Sequence, residues 1–279
     1  MLRGLLLALC LAAMPALPAA ARTDAPPVAT QEDRERLWSA LGLGEALEIM
    51  RDEGRAMSRD IAMDYLADRA DGSWTRTVAR IYDPEAMSDV MRAAFFSDME
   101  DADPQPMLSF FESRLGQRIV ALEMTARRAF LDSDTEEAAR DLVREGAVPE
   151  DRIALIDEFI AVNDLVALNT SGSMNTNVAF LSGLSQAELF AMSEQEILDR
   201  VWSDAEGNRA DTEEWLRAYL ATAYRPLADD EIRAYIDFSR TEAGQRLNRA
   251  LFAGFGEMYV QQYHALGLAV ARQLTAKDI

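Results

Sequence analysis

The side chains with which this chain could do chemistry are few: one histidine, His264, one cysteine, Cys10, and 48 acidic residues. A metal site built on imidazole needs several histidines, and a nucleophile–His–acid relay would depend on His264 alone. Neither a G-x-S-x-G elbow nor a glycine-rich phosphate loop is present. The acidic runs Asp132-Ser133-Asp134-Thr135-Glu136-Glu137 and Asp204-Ala205-Glu206-Gly207-Asn208 invite calcium. Both lack the spacing of a calcium loop, with acids at positions 1, 3 and 5, Gly at 6 and Glu at 12. The carboxylates leave one enzymatic option, a pair flanking a glycosidic bond, and the sequence does not single out a pair. Hence no catalytic residue, no metal and no cofactor is expected.

One stretch stands apart in composition. Asn169-Thr170-Ser171-Gly172-Ser173-Met174-Asn175-Thr176-Asn177 carries no charge and is rich in side chains that compete for backbone hydrogen bonds. It reads as a loop between helical stretches that end near Leu168 and resume near Val178. Asn169, Ser171 and Asn175 are its candidate ligand contacts, because binding residues favour loops on rigid scaffolds.

The elements around it read as helices. Met87, Val90, Met91, Ala94 and Phe95 form one apolar stripe, with Asp83 placed to cap it and Pro84 to start it. Tyr259, Tyr263, Leu266, Val270 and Leu274 mark one face of a long last helix, with His264 beside it and partly exposed. Asp211 with Glu214, Ser133 with Glu136, Ser185 with Glu188 and Ser193 with Glu196 have the spacing of helix starts. No run of strand alternation occurs. The chain is therefore expected to be all-α. Gly146-Ala147-Val148-Pro149 is a stop followed by a restart, which divides it into units over 32–146 and 149–275.

The two units carry a shared motif. Phe110, Ser113, Gly116, Gln117 and Arg118 in the first recur in register as Phe238, Thr241, Gly244, Gln245 and Arg246 in the second. Each copy follows an amphipathic stretch. The hydroxyl residue can cap the next helix, and the glycine in that helix's first turn lets another backbone pass close. The motif reads as a helix–helix corner, and the fold as two repeated multi-helix units packed together. A binding surface on Gln117, Arg118, Gln245 and Arg246 is the alternative.

With Phe110-Phe111-x-Ser113-x-x-Gly116-Gln117-Arg118 in view, the motif resembles the signature of a bacterial family catalogued as domain of unknown function 2059. The second copy departs from it at Ser239 and Thr241, and Arg114 and Glu242 stand where the family often has Pro. The likeness covers about residues 85–130 and 210–270. It implies an exported, helical envelope protein and brings no catalytic residues with it.

Location follows from the first residues. Arg3, the apolar run Leu5 to Ala13 and the small-residue exit Ala19-Ala20-Ala21 have the parts of a secretory signal, so 1–21 is expected to be cleaved near Ala21. Cys10 would leave with it, and residues 22–31, with Pro26-Pro27, form a flexible leader. No other stretch is apolar enough to span a membrane. A formal charge of −20 repels phosphate backbones and steers toward a basic partner. The expected protein is a periplasmic binding or interaction protein whose partner is an envelope protein, with no nucleic acid bound. A carboxylate-dependent hydrolase of envelope material is the first alternative. A carrier of a small apolar ligand between helices is the second.

Overall fold

The computed structural model describes residues 29–275. The signal segment 1–21, with Cys10, and most of the leader lie outside the described residues. Helices dominate, and no strand occurs among the described residues. The Thr30 hydroxyl and the Asp33 carboxylate cap α1 (Gln31–Ala40) reciprocally. Gly42, at φ 64°, turns the chain into α2 (Leu43–Ile61), which runs on into a π-turn, Ala62–Leu66. Asp71 caps α3 (Gly72–Ile81). Asp83 accepts from the Ala86 amide, and Pro84 opens α4 (Pro84–Asp98). Helices α5 (Gln105–Phe111) and α6 (Arg114–Ala129) complete the first half.

A linking helix, α7 (Ser133–Arg144), is capped by Asp132, one residue ahead of the expected Ser133. Gly146, at φ 69°, ends it, and the Ala147 amide reaches back to the Leu142 carbonyl at 2.9 Å. A left-handed glycine is the usual device for such a stop. Then follow α8 (Glu150–Val162), a left-handed turn at Asp164, α9 (Leu165–Leu184), α10 (Glu194–Ser203), α11 (Ala205–Tyr224), α12 (Asp229–Ser239) and the long α13 (Glu242–Thr275). Ser193 and Glu196 make the expected capping box on α10.

Three expectations are corrected. Asp211 and Glu214 do not start a helix: α11 is already under way, and their carboxylates accept from Arg140 of α7 at 2.9 and 3.3 Å. Ser185 ends α9, and Glu188 opens only a short 3-10 turn, Glu188–Phe190. Residues 169–177 form neither a loop nor a turn, but the middle of α9. Their polar side chains turn back onto their own helix: Asn169 Nδ2 donates to the Leu165 carbonyl at 2.8 Å, and the Thr176 hydroxyl to that of Ser173 at 2.8 Å. Packing of α9 between α10, α11 and α13 overrides weak local propensity, as tertiary burial commonly does.

The order of elements in α1 to α6 returns in α8 to α13. Each string runs short helix, left-handed turn, long helix, irregular turn, three helices, corner, final helix. The halves do not stand side by side. α13 packs along α4 and α9, and α6 packs along α11 and α2, so each final helix lies across the other half. One core joins them, with Met91, Phe95, Ile119, Phe180, Leu216 and Leu220 fully buried. Burial of each such side chain is worth about 1.5–3 kcal/mol.

Candidate functional site

Two glycines bring α9 and α13 into backbone contact. A Cβ on Gly183 would stand 2.4 Å from the His264 carbonyl oxygen, and one on Gly267 would stand 2.1 Å from that of Phe180. Such an approach requires residues without side chains. Toward the N-terminal end of α9 the same pair leaves a cleft of about 300 Å³. The α9 wall presents Asn169, Ser171, Asn175 and Thr176, and the α13 wall presents Phe252, Phe255, Tyr259 and Tyr263. Asn169 and Thr176 are buried, whereas Ser171 and Asn175 are exposed at the rim. The three residues singled out from the sequence thus line one cleft, on a helix face.

The tyrosines are fixed from behind. Arg127 Nη2 donates to the Tyr259 hydroxyl at 3.3 Å, and the Tyr263 hydroxyl donates to Met57 Sδ at 3.0 Å. Neither Arg127 nor Met57 lines the cleft. The phenol oxygens are held toward Arg127 and Met57, and the two residues line the cleft. Burial holds both phenols protonated, well above the usual tyrosine range. Apart from these tyrosines, no titratable side chain lines the cleft.

Each helix also contributes a glycine to the cleft. Gly172 of α9 and Gly256 of α13 both line the cleft, and a Cβ on either would meet nothing within 4 Å. Glycine inside a helix costs about 1 kcal/mol relative to alanine. At Gly183 and Gly267 that cost is returned as backbone contact. At Gly172 and Gly256 no contact within the fold returns it.

The matching place in the first half is filled. Counted from the left-handed turns Gly42 and Asp164, Met50 stands where Gly172 does and Glu53 where Asn175 does. Counted from the caps Ser113 and Thr241, Arg127 stands where Phe255 does. Arg127 and Glu53 form a two-pronged ion pair, both contacts at 2.9 Å, with side chains only 11% and 14% exposed. The cleft between α2 and α6 is left with about 60 Å³. Glu123 lines it, accepting from the Tyr224 hydroxyl at 2.6 Å. Burial pushes its carboxyl up to about 7, and the Tyr224 bond offsets part of that rise. A carboxyl near neutrality is a sound general acid, yet this space holds a few waters and not a sugar or peptide unit.

The repeated motif builds two corners of the same geometry. Ser113 Oγ accepts from the Gly116 amide at 3.0 Å, and Thr241 Oγ1 from the Gly244 amide at 3.0 Å. A Cβ on Gly116 would stand 2.2 Å from the Phe110 carbonyl oxygen; on Gly244, 2.3 Å from that of Phe238. Gln117 Nε2 donates to the Phe111 and Ala40 carbonyls, and Gln245 Nε2 to those of Ser239 and Val162. Arg118 reaches the Pro226 carbonyl and Glu231, while Arg246 reaches the Asp98 carbonyl at 2.6 Å. Each arginine therefore grips the turn after α11 or α4 in the opposite half. Phe110 and Phe238 stack on each other. These side chains are spent on structure and do not approach the α9–α13 cleft.

His264 Nδ1 lies 3.2 Å from the Ala179 carbonyl, on the seam between α9 and α13 and outside the cleft. Of the acidic runs, Asp132 caps α7, Glu136 pairs with Arg140 and Asn208 donates to Ser173 Oγ. No group of three or more His, Cys, Asp or Glu that could hold a metal ion occurs among the described residues. Sequence reasoning missed Phe252, Phe255, Gly172 and Gly256 as site residues. Gly256, inside the last helix, was the available signal, whereas Gly172 was masked by poor helix formers on both sides. Compared with known proteins, the chain matches no family model, no curated protein and no solved structure.

Proposed function

We propose that this protein works by binding and that it holds a small molecule in the cleft between α9 and α13. Of the readings open from sequence, this favours the carrier over the hydrolase. The observation that carries it is a cleft of about 300 Å³ with aromatic rings on one wall and uncharged polar groups on the other. A concave, mostly apolar site with a few converging polar groups is how small-molecule sites are usually built. The cavity holding the carboxyl best tuned for proton transfer, Glu123, is too small to admit a substrate. The signal-like N-terminus supports an envelope location as part of this reading, and the motif's resemblance to domain of unknown function 2059 belongs to the same proposal. The fluorescent probe phenylnaphthylamine tests it. Saturable binding of one equivalent, abolished by Gly256→Leu, is the expected result. Absence of saturable binding by any small amphiphile, or binding that survives Gly256→Leu, would overturn the reading.

A further inference from the structure

We infer that the ligand is a neutral amphiphile, with a flat or aliphatic body and an uncharged hydrogen-bonding end such as an amide or hydroxyl. This rests on the binding role proposed for the α9–α13 cleft and names the chemistry that fits it. The α13 wall offers the aromatic residues Phe252, Phe255, Tyr259 and Tyr263, and the two tyrosine hydroxyls are engaged by Arg127 and Met57, which lie outside the cleft lining. Such a wall takes an apolar body by burial and stacking. The α9 wall offers Asn175 and Ser171 at the rim, while deeper in Asn169 and Thr176 donate to carbonyls of their own helix and close the wall. Amide and hydroxyl groups both donate and accept, so they satisfy an uncharged polar end without leaving a charge unpaired.

Charged ligands fit poorly. No arginine or lysine lines the cleft to hold an anion, and the chain's −20 charge repels one. No carboxylate lines it to hold a cation, and Glu53, which reaches Tyr259 only through Arg127, is committed to that ion pair. A buried, unpaired charge is costly. The first half shows what charge does at this position. There Met50, Glu53 and Arg127 occupy the space that Gly172, Asn175 and Phe255 leave open, and little cavity remains. The second half has neutral residues at these positions together with two glycines that no contact within the fold requires. Their missing side chains let a flat body lie against both helix backbones.

The test compares probes that share an aromatic body and differ in charge: phenylnaphthylamine, neutral; anilinonaphthalene sulfonate, anionic; and a naphthylmethyl trimethylammonium salt, cationic. Each is titrated into the full chain and into Gly172→Leu and Gly256→Leu, with melting temperatures recorded. The expected result is neutral binding at least about tenfold tighter than either ion, lost in both variants while their melting temperatures stay at or above wild type. Two variants guard against one that fails to fold. An ion binding as tightly as the neutral probe, and blocked by the same substitutions, overturns the ligand class while leaving the cleft as the binding site. If no probe binds, the binding role itself fails.

Discussion

Phe110 and Phe238, the leading aromatics of the two motif copies, stack with ring centroids 4.2 Å apart and planes 14° apart. The same residues of two distant segments thus meet face to face where the corners touch. Tyr235 extends the stack, 5.4 Å from Phe110. The contact ties α5 to α12 and, through the two corners, sets the start of α6 and α13.

A double-mutant cycle measures that tie. Phe110→Leu and Phe238→Leu keep apolar bulk and remove the ring pair. Aromatic pairs contribute about 0.5–1.5 kcal/mol beyond burial, so the double variant is expected to be less destabilised than the sum of the singles by that amount. Chemical denaturation supplies the free energies. Strict additivity would mean that the stacking adds nothing to stability.

The corner glycines should be intolerant and the cleft glycines tolerant. Gly116→Ala and Gly244→Ala each drive a Cβ to within 2.2–2.3 Å of a backbone carbonyl. Overpacking of this kind costs about 1–3 kcal/mol, and the two losses should be alike because the geometries are alike. Gly172→Ala and Gly256→Ala place the methyl in open space and should stabilise the helix by up to about 1 kcal/mol. Thermal melts of the four variants check both halves of the statement. Corner variants that melt like wild type would remove the close-packing account.

These contrasts show which features the sequence could carry. The α4 stripe, the caps at Asp83 and Ser193 and both corners are local, set within a turn or two, and periodicity and cap chemistry reveal them. The middle of α9 was misread because Asn169, Thr170, Ser173 and Thr176 have poor helix propensity, while the burial that holds them in a helix comes from α11 and α13, far along the chain. The cleft is less local still. It depends on α9 meeting α13 at Gly183 and Gly267, and nothing in either segment names the other. That each final helix packs on both halves was hidden for the same reason: a motif that recurs in sequence does not say which elements the helix after it packs against.

Glu123 gives stability a particular pH dependence. Burial raises its carboxyl to about 7, against 4.5 when unburied. Between those values the folded protein keeps a proton that the unfolded chain has lost. This contribution is therefore complete below about pH 4.5, falls as pH rises, and is gone above about pH 7. At about 1.4 kcal/mol per pKa unit, the loss is on the order of 3 kcal/mol. Glu123→Gln keeps an acceptor for the Tyr224 hydroxyl and removes the titration. Its stability should match wild type near pH 4 and exceed it above pH 7, as read from urea denaturation across the range. Carboxylates held low, such as Asp71 by its bonds from Ser73, titrate below this window and leave it clear. A wild-type advantage that grows with pH would contradict the placement of this carboxyl.

The ion pair that fills the first-half cleft should be costly to break and cheap to replace. Arg127 and Glu53 are mostly buried and meet through two parallel contacts. Removing one partner strands the other charge in the interior, at a cost of about 3–5 kcal/mol. Replacing both with apolar residues of similar volume removes the desolvation penalty along with the attraction, and such exchanges are often neutral. Glu53→Leu alone is therefore expected to be strongly destabilising, and Glu53→Leu with Arg127→Met much less so. The double variant also frees the Tyr259 hydroxyl from its tether to Arg127, so the aromatic wall of the second-half cleft loses a support. Phenylnaphthylamine binding should weaken in the double variant even where stability is kept. Denaturation curves and probe titrations on the same preparations separate the effects. A double variant as unstable as the single would show that the pair contributes net stability. Unchanged probe affinity in a stable double variant would show that the tether to Arg127 does not hold the cleft wall in place.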